Sequence, residues 1–203
     1  MRYFLLIGVS ALFASCGDVK NNHRLPIYGH HDFTETDTVY YTVGDFSLVN
    51  QDSTVVTNKT LDGKIYIADF FFTSCPTVCP KMKTQLLRVY EKIEGAKDVS
   101  ILSHTIDPDY DSVAVLKEFA FNLGVKTPTW HFVTGEKDSI YSLAETYLVM
   151  ADEDPDAPGG YIHSGAFLLV DKQRRIRGVY DGTEPDQVNI LLNDIDLLRK
   201  EYE

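Results

Sequence analysis

Two hydrophobic rhythms alternate along the chain. Lys64–Phe72 is an almost unbroken apolar run, the signature of a strand covered on both faces. Met82, Leu86, Leu87, Tyr90 and Ile93 then recur at spacings of three and four, which predicts a helix over Pro80–Ile93. Pro80 suits the first turn of that helix, where a missing N–H leaves no bond unmade. The alternation continues with a strand over Val99–Ile106, a helix over Ser112–Leu123, a short strand at Trp130–Val133 and a helix over Lys137–Tyr147. Gly165–Asp171 and Ile176–Tyr180 read as a hairpin around Lys172-Gln173, and Pro185–Lys200 as an amphipathic helix. Upstream, Phe46–Val49 and Thr54–Thr57 read as a hairpin around Asn50-Gln51-Asp52. A βαβ start and a ββα finish predict an α/β fold. Its central mixed sheet is flanked by helices, with a parallel pair joined by a right-handed crossover and the first hairpin as an N-terminal extension.

The region before Val43 follows another pattern. Arg2 is the sole charge before an apolar run from Tyr3 to Ala14, too short to span a bilayer but suited to a signal-peptide core. It ends in Phe13-Ala14-Ser15-Cys16, which resembles a lipoprotein box with Cys16 as the acylated residue. The expected division is a lipoprotein-type signal peptide over 1–15, a lipidated N-terminus and flexible tether over 16–42, and one domain over 43–203. Ordinary cleavage nearby and an uncleaved anchor are the alternatives, and all three place the domain outside the cytoplasm, on the periplasmic side of a membrane. His23, His30 and His31 lie in the tether and are expected to be solvated.

The chain carries a net charge of −11, and loss of Arg2 with the signal would make it more acidic. No basic stripe exists to neutralise phosphates, so nucleic acid is excluded as a partner. With Cys16 lipidated, Cys75 and Cys79 are the remaining thiols. They stand four apart, between the first central strand and the helix after it, so their sulfurs can meet on one side of a turn. A helix N-terminus favours an anion, and a thiolate is one. A disulfide there would close a tiny loop and stabilise little, which favours a redox pair or a soft-metal pair over a structural staple. A cysteine pair after the first central strand gives the α/β fold a thioredoxin-like layout. Asp69 interrupts the apolar strand six residues before Cys75, the spacing at which thioredoxins place an acid. Buried without a cationic partner, it would act as a proton acceptor for a thiol; the alternative is that it points outward at a strand end. Asp107, Asp109 and Asp111 are expected to cap the helix near Ser112. Asp152-Glu153-Asp154-Pro155-Asp156 is expected to be a solvated loop, or a docking surface for a basic partner. Tyr161 and Phe70–Phe72 are expected in the core.

Five segments, in order, carry a resemblance to the Sco/SenC family: Val43-Gly44-Asp45-Phe46, Phe71-Phe72-Thr73-Ser74-Cys75-Pro76-Thr77-Val78-Cys79-Pro80, Ile106-Asp107-Pro108, Trp130-His131-Phe132-Val133-Thr134-Gly135 and Tyr161-Ile162-His163-Ser164-Gly165. The resemblance implies a membrane-anchored, thioredoxin-like copper protein serving assembly of the dinuclear copper centre of cytochrome c oxidase. By matching position, Cys75, Cys79 and His163 would be the ligands of Cu(I) or Cu(II). The partners implied are the copper-receiving subunit of the oxidase, a thiol–disulfide reductant or another copper chaperone, and the membrane through lipid on Cys16. The donor chemistry agrees, since thiolates suit Cu(I) and imidazole suits copper in either state. A membrane-anchored thiol–disulfide oxidoreductase is the alternative, although the chain lacks the two-residue cysteine spacing usual in those enzymes and has Pro76 and Pro80 instead of a Gly-Pro insert. A peroxiredoxin-type peroxidase fits poorly, because Phe72 stands where the required threonine would precede Cys75.

Overall fold

The computed structural model describes residues 24–203. Cys16, the signal segment and His23 therefore lie outside the described residues. In chain order the strands are β1 (Asp32–Phe33), β2 (Thr38–Val39), β3 (Ser47–Asn50), β4 (Val55–Thr57), β5 (Ile65–Phe71), β6 (Val99–Thr105), β7 (Trp130–Thr134), β8 (Ala151–Glu153), β9 (Tyr161–His163), β10 (Ala166–Val170) and β11 (Ile176–Asp181). The α-helices are α1 (Val78–Ile93), α2 (Val113–Leu123), α3 (Lys137–Thr146) and α4 (Pro185–Lys200). A seven-stranded mixed sheet runs β11-β10-β5-β6-β7-β3-β4. Its centre, β5-β6-β7, is parallel, and the flanking pairs are antiparallel.

Every residue of β5, β6 and β7 is buried, as parallel strands covered on both faces require. One face of β5 presents Asp69 and Phe71 toward α1 and α2, where Phe71 stacks on Phe119 at 5.5 Å. The other face presents Phe70, which packs on His104 and on Tyr147 at the end of α3. The predicted thioredoxin-like architecture is the observed one, with the N-terminal hairpin joined to the far edge through β3 and β7.

Two additions come from short strands without a readable period. Leu25–Val43 does not behave as a free tether. The Leu25 amide donates to Glu201, the Tyr28 amide to the Ile176 carbonyl and the Val43 amide to the Arg174 carbonyl. The buried Arg177 guanidinium donates to the carbonyls of Leu25 and Pro26 and pairs with Asp171 and Glu201. A buried arginine satisfied by backbone carbonyls holds this strap, so the segment expected as a tether is bonded to the domain from Leu25 onward. The second addition is the β8–β9 hairpin. It contains Asp152 and Glu153, which are thus paired backbone rather than irregular loop, and its register sets Ala151 opposite His163.

Candidate metal centre

β5 and β6 run in the same direction, and Cys75 follows the C-terminal end of β5. There the chain turns, with the Cys75 amide donating to the Phe72 carbonyl at 3.3 Å. The turn is pinned from β6 by Asp111. Its carboxylate accepts from the Thr73 amide at 3.0 Å and from the hydroxyls of Thr73 and Thr105. Asp111 is fully buried and does not cap α2; Ser112 does, accepting from the Val115 amide. The expectation for Asp111 is corrected accordingly: it ties the cysteine-bearing turn to the end of β6. Asp107 is likewise turned inward, accepting from the Tyr110 amide.

Cys79 lies in the first turn of α1, which starts two residues before the expected Pro80 with Thr77 as its N-terminal flank. β10 runs antiparallel to β5, so the chain before Ala166 arrives at the same end of the sheet. That brings His163, at the end of β9, over the cysteines. Its Nε2 lies 3.2 Å from the Cys79 sulfur. Both cysteines are free, and the two sulfurs and the imidazole donor lie within 4.8 Å of one another. Donors about 2.0–2.3 Å from a bound ion stand roughly 3.5–4 Å apart around it, so the three atoms fit a small soft cation.

The second contacts of each ligand suit the same purpose. His163 Nδ1 faces the Ser164 carbonyl at 3.1 Å. A carbonyl only accepts, so the proton sits on Nδ1 and the Nε2 lone pair is directed at the sulfurs. Burial holds His163 below its ordinary pKa, which keeps the ring neutral at neutral pH. Phe72 fixes the ring from below, edge-on at 5.9 Å, and Tyr161 packs on Phe72 at 5.1 Å. The two thiols differ. Burial pushes Cys79 up to about 12. Burial also raises Cys75, but hydrogen bonds from the backbone at Thr77 and Cys79 outweigh it and leave that thiol below its ordinary value. The expected thiolate is thus favoured at Cys75 rather than at the helix-borne Cys79.

Asp69 is buried, but not as a lone carboxyl. Lys83 Nζ lies 2.7 Å from its Oδ2, and the Ser103 hydroxyl donates to Oδ1. The condition for a proton acceptor, a buried carboxyl without a cation, is not met. Lys83 went unremarked in the sequence. The available signal was a lysine on the core-facing helical stripe that also carries Cys79, Met82, Leu86 and Tyr90. His30 is exposed, and neither it nor His31 approaches the cysteines to form a ligand group.

A thioredoxin-like domain with a CxxxC pair and a histidine converging on it defines the class. The model of the SCO1/SenC family matches residues 34–196, and the chain belongs to that family. It is similar to a SCO1/SenC family lipoprotein from Bacillus anthracis, 28% identical over 78% of this chain and 95% of that one, with a TM-score of 0.72. It is similar to BsSco, a member of the Sco family of cytochrome c oxidase assembly proteins in which a disulfide switch has been identified. That chain is 30% identical over 78% of this chain and 93% of its own, with a TM-score of 0.67. Arabidopsis thaliana ScoI, solved with copper bound, is 28% identical over 78% of this chain and 99% of its own, with a TM-score of 0.65.

Proposed function

We propose that the protein is a copper metallochaperone that takes one copper ion through Cys75, Cys79 and His163 and delivers it to the copper-receiving subunit of cytochrome c oxidase. The observation that carries this reading is the convergence of two free sulfurs and the His163 imidazole within 4.8 Å. Two sulfurs and one nitrogen leave a coordination position open, which suits an ion that must be handed on, whereas structural zinc sites close with four ligands. Copper bound to the related ScoI supports the choice of ion. Titrating the reduced domain with Cu(I) and Cu(II) tests it. One equivalent of each is expected to bind, and His163→Ala is expected to keep part of the Cu(I) affinity while losing Cu(II) preferentially, because imidazole suits both states and thiolates the softer one. Uptake of no copper by the reduced protein would reject the reading.

A second reading, thiol–disulfide exchange with a partner's cysteines, is favoured by two free, adjacent thiols of which Cys75 is the more acidic. The two readings use the same sulfurs, so bound copper and a Cys75–Cys79 disulfide exclude each other.

Anchoring is part of the same proposal. Lipid on Cys16 would hold the domain at a membrane, and the relative from Bacillus anthracis is a lipoprotein. Among the described residues no helix is long and apolar enough to cross a membrane. Mass spectrometry of the membrane-extracted protein is expected to find Cys16 acylated as the first residue; an unmodified Cys16 with residues 1–15 attached would refute it.

A further inference from the structure

Among the described residues, Arg177 and Lys83 are the cations whose own side chains are buried in ion pairs, and only the first has an evident structural duty. Arg177–Asp171 holds the N-terminal strap. Lys83–Asp69 holds no loop or terminus. It joins α1 to β5, two elements already packed through apolar side chains. Its side chains are 5% and 0% exposed. Around the ammonium the surroundings are aromatic, with the ring centres of Phe71, Phe132 and Trp130 at 3.9, 5.5 and 5.7 Å. Burying such a pair usually costs about as much as the attraction returns, and apolar replacement of both partners is often neutral or stabilising.

Its placement supplies a reason. Lys83 follows Cys79 by four residues, one helical turn along the same buried face. With Cys75, Cys79, Phe72 and Phe119 it lines a cleft of about 240 Å³ that Asp69 does not reach. Asp69 sits behind it on β5, where its charge is spread by the Ser103 hydroxyl, itself held at 2.9 Å by the Trp130 indole N–H. Of the two partners, the cationic one shares the walls of the cleft with the sulfurs.

We propose that Lys83, held by Asp69, is a positioning residue that acts through Cys79 to favour monovalent over divalent copper at the thiolate pair. This rests on the copper reading above. Two thiolates, a neutral imidazole and Cu(I) sum to a charge of −1, whereas the same ligands around a divalent ion sum to zero. As the two S–Cu bonds form, the thiol protons leave to solvent, and no electron moves. A fixed ammonium in a poorly screened interior stabilises the anionic complex and leaves the neutral one nearly unaffected.

Lys83→Met alone leaves Asp69 buried and unpaired and risks the fold, so the test is the double variant D69N/K83M, with thermal unfolding as the control for integrity. Cu(I) affinity is read by competition with a chromophoric Cu(I) chelator, and Zn(II), a redox-inert divalent probe, is titrated in parallel. The expected result is a fall of about threefold to tenfold for Cu(I), with Zn(II) unchanged within about a factor of two. A merely structural role would weaken both ions together. Equal losses for the two ions, or no loss for Cu(I), would overturn the proposal while leaving the copper reading intact. Failure of the unaltered protein to bind Cu(I) would overturn both.

Discussion

Replacing Cys75 or Cys79 by serine is expected to lower Cu(I) affinity by more than about a hundredfold, beyond the 10–100-fold typical of losing a residue that only orients a ligand. The two positions are not equivalent in their surroundings. Cys79 is in contact with His163 Nε2 at 3.2 Å, and Cys75 lies beside the Thr77 hydroxyl at 3.7 Å. A serine hydroxyl preserves the shape at either place but is a hard, neutral donor that a soft ion rejects. Each variant also removes the only partner with which the remaining described thiol forms a close pair, so disulfide exchange is lost with copper. Chelator competition on the reduced variants checks the first effect. Retention of near-native affinity by either variant would show that its sulfur is not a ligand.

Acid is expected to destabilise the domain steeply between pH 6.5 and 4. Two histidines are buried outside the cysteines' ligand group. His104 stacks on Phe70 at 4.6 Å, and its Nδ1 faces the Asp69 carbonyl at 3.1 Å. His131 is contacted at Nδ1 by the Asn50 amide at 3.1 Å. The Nε2 of each finds no hydrogen-bond partner. Burial lowers both from 6.5 to about 4. Between those values the unfolded chain binds more protons than the folded one, so stability is complete above the unfolded pKa and is lost as pH falls toward the folded one. The loss is on the order of 3 kcal/mol per histidine by pH 4. Asp111 opposes it, because burial raises that carboxyl and protonation then favours the folded state as pH falls. One carboxyl does not offset two imidazoles. Urea unfolding at pH 7.5 and pH 4.5 measures the difference, and His104→Phe, which keeps the stacked ring, is expected to remove about half of it. Equal unfolding free energies at the two pH values would contradict the burial of both rings.

The long elements were legible because their periods are. Pro185–Lys200 is helical over the span its apolar spacing predicts, and the apolar runs at β5 and β6 are the buried parallel pair. The strands β1, β2, β8 and β9 were not, since they are too short to show a period and exist only through pairing. The same distinction divides the site. Cys75 and Cys79 are neighbours along the chain, and the tight turn between β5 and the first turn of α1 is enough to bring them together. His163 is 84 residues from Cys79, and only the resemblance to a family pointed to it. Asp69 was visible as an acid in an apolar strand, but the cation that answers it lies on another element 14 residues away. Asp111 was visible too. Its preference for Thr73 and Thr105 over the helix N-terminus is decided by the turn that folds back over β6.

The central claim is that copper sits among the sulfurs of Cys75 and Cys79 and the imidazole of His163. X-ray absorption at the copper edge of the protein loaded with one equivalent of Cu(I) tests it most directly. The expected spectrum has two sulfur scatterers and one imidazole nitrogen, with the nitrogen lost in His163→Ala. A copper shell of nitrogen and oxygen alone would contradict the account.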